Sequence, residues 1–82
     1  MMNTKAIIVG KFDLGYIVKL PNRIIAQLRV NHMKGEELVC HLASEEVKLF
    51  DKEIEVDIIY QDEEQVYVSQ LFDLERVKRK DQ

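Results

Sequence analysis

Tryptophan is absent from this 82-residue chain, and tyrosine and phenylalanine occur only three times each. Stacking of nucleobases is therefore limited to a few positions. The one cysteine, Cys40, rules out an internal disulfide and a four-cysteine metal site. Long apolar runs are missing as well. Ala6-Ile7-Ile8-Val9 is too short for the core of a signal peptide, and no small-residue cleavage motif comes after it. Nothing approaches the roughly 20 apolar residues of a bilayer span. These absences predict a soluble cytoplasmic domain with no membrane partner. A Gly-rich phosphate loop is also missing, so neither an enzyme active site nor a cofactor is expected.

What the chain does have is charge, unevenly placed. The first 35 residues carry six basic residues and one acid, a net of +5. Residues 36–75 carry 13 acids against Lys48 and Lys52, a net of −11. Residues 76–82 return to +3, which gives the formal −3 of the whole. Such a bipolar molecule can hold a phosphate backbone on one face and repel it from another. With 46% hydrophobic and 33% charged residues the chain is globular, and its length suits one small-cored domain. The expected division is a domain over 1–75 and a flexible basic tail over 76–82.

β-branched residues gather in short runs between turn residues, which predicts an all-β domain. The first strand runs Ala6 to Phe12 and continues, past a bend at Gly15, as Tyr16 to Leu20. Pro21-Asn22 is a turn signal. From Arg23 to Val30 the chain alternates, with Ile24, Ala26, Leu28 and Val30 inward and Arg23, Ile25, Gln27 and Arg29 outward. A hairpin over 31–35, with Gly35 left-handed, leads to a third strand from Glu36 to Leu42. Ser44 to Phe50 changes period and reads as a short helical connector, with Val47 and Phe50 on one face. Glu53 to Tyr60 alternates strictly, placing Ile54, Val56, Ile58 and Tyr60 inward. Gln65 to Leu71 is the last strand. Phe12 and Phe50 are expected in the core, and Tyr16 and Tyr67 in the core or at its rim, with base stacking as the alternative for the two tyrosines. Three strands, a connector and two strands predict a five-stranded, partly open OB-fold barrel.

Leu20-Pro21-Asn22, the alternating strand and glycine hairpin after it, and Cys40-His41-Leu42-Ala43 resemble bacterial translation initiation factor one and the wider S1-like OB-fold group. That family has a Leu-Pro-Asn turn, a Gly-containing hairpin and an Ala-His-Ile-Ser stretch. Asp51-Lys52-Glu53-Ile54-Glu55-Val56 is similar to its Gly-Asp-Lys-Val-Thr-Val start of strand four. The resemblance covers about residues 10–70. It implies RNA binding and, for the factor itself, a seat on the small ribosomal subunit, with His41 matching a family residue near the RNA. The factor's basic Gly-Lys-Met-Arg-Lys connector is replaced here by Ser44-Glu45-Glu46-Val47-Lys48. A paralogue with a different RNA or protein partner fits that acidic stretch better.

The candidate RNA-binding residues are Lys11, Lys19, Arg23, Gln27, Arg29 and His41. The cations grip phosphate, and arginine can also stack on a base. This reading requires the early cations to share one side of the barrel, with Arg29 and His41 on a common surface. The alternative is a protein-interaction module whose acidic stripe of Glu53, Glu55 and Asp57 contacts a partner. Neither reading includes a metal. His41 has only His32 as a histidine partner, and Cys40 points away from His41 on a strand.

Overall fold

The computed structural model describes residues 2–71. The expected basic tail, and the turn containing Leu74 and Val77, lie outside the described residues. Five strands, β1 (Met2–Phe12), β2 (Gly15–Lys19), β3 (Ile25–Arg29), β4 (Glu53–Gln61) and β5 (Val66–Ser69), close into a barrel in the order β1-β2-β3-β5-β4. One short helix, α1 (Gly35–Leu42), lies between β3 and β4. The protein is therefore an all-β, OB-like barrel with a helical connector between strands three and four. β3 and β5 pair in parallel, and every other pair is antiparallel. Closure leaves no open sheet edge. No helix among the described residues is long and apolar enough to cross a membrane.

The five strands are not the five expected. The run from Ala6 to Leu20 is two strands, because Gly15 opens β2 opposite Phe12 and turns the chain back on β1. The segment Glu36–Leu42, expected as a strand, is helix instead. Leu38, Val39 and Leu42 also fit the i, i+1, i+4 spacing of a helix, and Glu36 and Glu37 complement the positive end of its dipole. Gly35 takes the expected left-handed conformation, φ +67°, but it opens the helix rather than closing a hairpin. The Cys40-His41-Leu42-Ala43 stretch therefore lies on and just after α1, not on a strand.

Alternation fills the interior with Ala6 and Ile8 from β1, Tyr16 and Val18 from β2, and Ala26 and Leu28 from β3. Ile54, Val56, Val66 and Val68 complete it from β4 and β5. Each fully buried aliphatic side chain contributes roughly 1.5–3 kcal/mol. Met33 and Leu49 are also buried, and Leu38 and Cys40 pack partly on the same core. The connector makes only a 3₁₀ turn, Glu46–Lys48. It buries Leu49 and leaves Phe50 exposed, the reverse of expectation.

A polar network ties β5 to the connector. The buried Gln70 side chain accepts the Lys34 N–H at 3.0 Å and donates to Glu37 Oε1 at 2.8 Å. Glu37 Oε2 in turn meets Lys52 Nζ at 2.9 Å. Gln70→Leu removes an acceptor and a donor from this buried site, so it should cost about 1–3 kcal/mol. The shift of the urea midpoint at unchanged slope measures that loss.

Two bulges decide what faces outward. Pairing of β1 with β2 slips between Ile8 and Gly10, leaving Val9 extra. Pairing of β4 with β5 slips between Ile58 and Tyr60, leaving Ile59 extra. Each extra residue reverses the inside–outside phase of the strand beyond it. Tyr60, inward by strict alternation, is therefore on the outer surface and 48% exposed. Lys11 is carried the other way. It stands opposite the inward-pointing Tyr16 at the barrel mouth.

Candidate nucleic-acid interface

One row of side chains crosses four strands on the outside of the barrel. Ile17 of β2 is opposite Gln27 of β3, Gln27 is opposite Tyr67 of β5, and Tyr67 is opposite Tyr60 of β4. Residues in direct register project to the same side of a sheet. The Tyr60 and Tyr67 rings stack, with centroids 5.4 Å apart and planes 29° from parallel. Arg29, two residues beyond Gln27 on the same face of β3, places its guanidinium carbon 4.9 Å from the Tyr67 centroid. The result is a three-layer stack of Arg29, Tyr67 and Tyr60.

The turn beside the stack is fixed by Asp62. Its Oδ1 accepts the Glu64 and Gln65 backbone N–H groups at 2.8 and 2.7 Å. Its Oδ2 accepts the Tyr60 hydroxyl at 2.6 Å. The Tyr60 bond and then these amides hold the Asp62 carboxyl below its usual pKa, and the same Tyr60–Asp62 bond raises the Tyr60 phenol. The Tyr67 hydroxyl donates to Gln65 Oε1. Both rings are thus oriented by the turn that joins their strands.

Below the stack a small cavity of about 80 Å³ is lined by Gln27, Arg29, His32, Ile59, Tyr67 and Val68. His32 Nδ1 lies 2.9 Å from Ser69 Oγ, which also accepts the Leu71 N–H. Arg29 forms no ion pair among the described residues, and its buried Nε has no hydrogen-bond partner there. No described carboxylate pairs with its charge. The stack can extend by one base at the open Tyr60 face, Gln27 offers an amide donor and acceptor to a base edge, and Arg29 offers a cation.

The six predicted residues fall into three groups. Gln27 and Arg29 belong to the outer row. Lys19 lies on the same outer face of β2, two residues from Ile17, and Arg23 ends the Pro21–Arg23 turn that joins β2 to β3. Lys11 and His41 do not join them. Lys11 Nζ pairs with Glu46 Oε1 at 3.2 Å at the mouth of the barrel. The Glu46 backbone N–H and then Lys11 hold the Glu46 carboxyl low. His41 sits on α1, where its Nδ1 is 2.8 Å from the hydroxyl of the buried Tyr16. The two rings meet edge to face, 5.5 Å apart at 88°. Burial, then Glu46 and Cys40, raise the Tyr16 phenol.

Arg29 and His41 therefore stand on different surfaces and Lys11 leaves the other cations, which overturns the RNA site expected around that set; a nucleic-acid reading now has to rest on the outer row alone. Arg29 follows strand alternation outward, whereas α1 turns His41 onto the end of the core. Sequence reasoning also missed the Tyr60–Tyr67 pair. Its available signal was two tyrosines flanking the acidic turn over 61–65, which one bulge brings into register.

The acidic residues lie farther round the barrel. Glu53 and Glu55 of β4 are exposed opposite Ile7 and Lys5 of β1. Asp57 is buried, and its Oδ1 accepts a hydrogen bond from Asn3 Nδ2 at 3.3 Å. The expected three-residue stripe is thus an exposed pair. No cluster of metal-ligating side chains occurs among the described residues. No protein-family model matches the chain, and no curated protein matches it significantly in sequence.

Proposed function

We propose that this chain is a non-enzymatic RNA-binding domain of the S1-like OB class, which holds single-stranded or looped RNA on the outer face of β3, β5 and β4. The observation that carries this reading is the Arg29–Tyr67–Tyr60 stack, with one ring open to solvent and an arginine that forms no ion pair among the described residues. Base stacking on such rings tolerates many sequences, because every base has a π-face. Gln27 adds hydrogen bonding in the same row. The usual nucleic-acid platform of an OB barrel is the face of its strands two and three with the β1–β2 and β4–β5 loops, of which this placement shares β3 and the β4–β5 turn.

The test is fluorescence anisotropy with a mixed-sequence single-stranded RNA at about 50 mM salt and above. Affinity should fall as salt rises. Arg29→Gln should reduce the slope of log affinity against log salt by about 0.7, the value of one released counterion on a single strand. Lys11→Gln should leave that slope unchanged, since Lys11 lies at the barrel mouth. Absence of binding at about 50 mM salt overturns the proposal.

A second reading, attachment to a protein partner, is favoured by the connector. Val39, Leu42 and Val47 there are exposed by 63%, 72% and 79%. Under that reading Leu42→Ser abolishes partner capture, while RNA is not bound at all.

A further inference from the structure

A groove of about 300 Å³ lies at the other end of the β2–β3 face, lined by Lys5, Lys19, Pro21, Asn22, Arg23 and Glu53 among others. Lys5, Lys19 and Arg23 form no ion pair among the described residues, in contrast to Lys11, Lys48 and Lys52. The other charged groups facing them are Glu53, in the lining, and Glu55, opposite Lys5 across β1 and β4. Three cations therefore converge against one carboxylate within the groove.

The backbone fixes this arrangement. Pro21 sets the entry to the turn, and the Leu20 N–H donates to the Ile24 carbonyl at 2.7 Å to close it. Within the closed loop Asn22 and Arg23 both take left-handed angles, φ 67° and 64°. Asparagine tolerates that region, whereas for arginine it is uncommon. The constrained backbone sets the Cα–Cβ direction of Arg23, whose side chain is exposed. Lys19 is held in register opposite Ile25 on one side and Ile7 on the other.

We infer that this groove is a phosphate subsite for the strand whose bases occupy the Arg29–Tyr67–Tyr60 stack. The inference rests on the RNA-binding reading and adds a path to it. Lys19 and Arg23 each hold a phosphodiester while the stack holds a base. Four residues of β3 and its approach separate Gln27 from Arg23, a span of about 13 Å at strand spacing. A strand with stacked spacing, roughly 3.4 Å per phosphate, crosses that span in about four nucleotides. This matches the short end of the site sizes of OB domains, about 4 nucleotides. The direction from stack to turn follows β3 from its end back to its start; β5 runs parallel to β3, so the acidic turn before Val66 lies toward that start too.

The experiment compares an RNA dinucleotide and an RNA hexanucleotide on the wild-type chain and on a Lys19→Gln/Arg23→Gln variant. Wild type holding the hexanucleotide through Arg29, Lys19 and Arg23 should lose roughly 20-fold in affinity between about 50 and 200 mM salt. The double variant, left with one of the three contacts, should lose only about 3-fold. The dinucleotide should bind both chains alike. Amide signals of Asn22 and Arg23 in the wild-type chain should move with the hexanucleotide and not with the dinucleotide, a readout that needs no variant. Equal salt slopes for the two chains, or unmoved Asn22 and Arg23 signals while RNA stays bound, overturn the subsite and leave the RNA-binding reading standing. Failure of wild type to bind either RNA overturns both.

Discussion

Replacing Gly15 with alanine should destabilise the barrel by more than about 3 kcal/mol, beyond the usual cost of overpacking. A Cβ at Gly15 would stand 2.2 Å from the Leu28 carbonyl oxygen, 2.8 Å from Arg29 Cα and 3.0 Å from the Val30 nitrogen. All three are backbone atoms, so no change of rotamer relieves the contact. Gly15 is opposite Arg29 in the β2–β3 ladder, and the next amide, Val30 N–H, donates to the Leu14 carbonyl at 2.9 Å. To admit a methyl group β3 must move off β2, which opens the closed barrel and displaces Arg29 from Tyr67. Gly10 supplies the contrast. A Cβ there meets only the Ile17 side chain, at 3.7 Å and beyond. Gly10→Ala should therefore change stability by no more than about 1 kcal/mol. Urea unfolding of the two variants separates them directly. Similar midpoints for both would contradict the close approach of β2 and β3.

The second large effect concerns binding. Tyr60→Ala should weaken affinity for single-stranded RNA by roughly 5- to 150-fold, the range of a lost base–aromatic stack of about 1–3 kcal/mol. Tyr60 forms the open end of the stack, so its ring is the one a base can reach. Tyr60→Phe keeps the ring and loses only the hydroxyl bond to Asp62. It should bind within a few-fold of wild type. Because a lost counterion is not involved, neither substitution should alter the salt slope, unlike Arg29→Gln. The measurement is the same anisotropy titration run at two salt concentrations. Equal losses for the alanine and phenylalanine variants would show that the ring is not a stacking surface.

Much of the fold was legible because alternation is local. Ala26 and Leu28 inward, with Gln27 and Arg29 outward, came from side-chain period two alone. The turn at Pro21-Asn22 came from proline's fixed φ and asparagine's tolerance of left-handed angles, and Asn22 adopts one. The barrel count came out at five through two opposite errors. One long run was divided by Gly15, and Glu36–Leu42 became helix. Leu38, Cys40 and Leu42 satisfy the strand period while Leu38, Val39 and Leu42 satisfy the helical one, and tertiary contact decides between them.

The site was less legible, and bulges are the reason. Val9 and Ile59 are ordinary β-branched residues with nothing in their chemistry to mark an extra position. Yet each reverses every side chain beyond it. Tyr60 was thereby concealed among core residues, and Lys11 was credited to a face it does not occupy. His41 was misplaced for a different reason, the strand-to-helix error. Gln27 and Arg29 were found because β3 has no bulge.

Amide shift mapping on the wild-type chain, with a single-stranded RNA added at about 50 mM salt, tests the central claim most directly. The account predicts that signals of Gln27, Arg29, Tyr60 and Tyr67 move together while those of Lys11 and His41 stay in place. Unmoved signals throughout, or movement centred on His41 and the rest of α1, would contradict it.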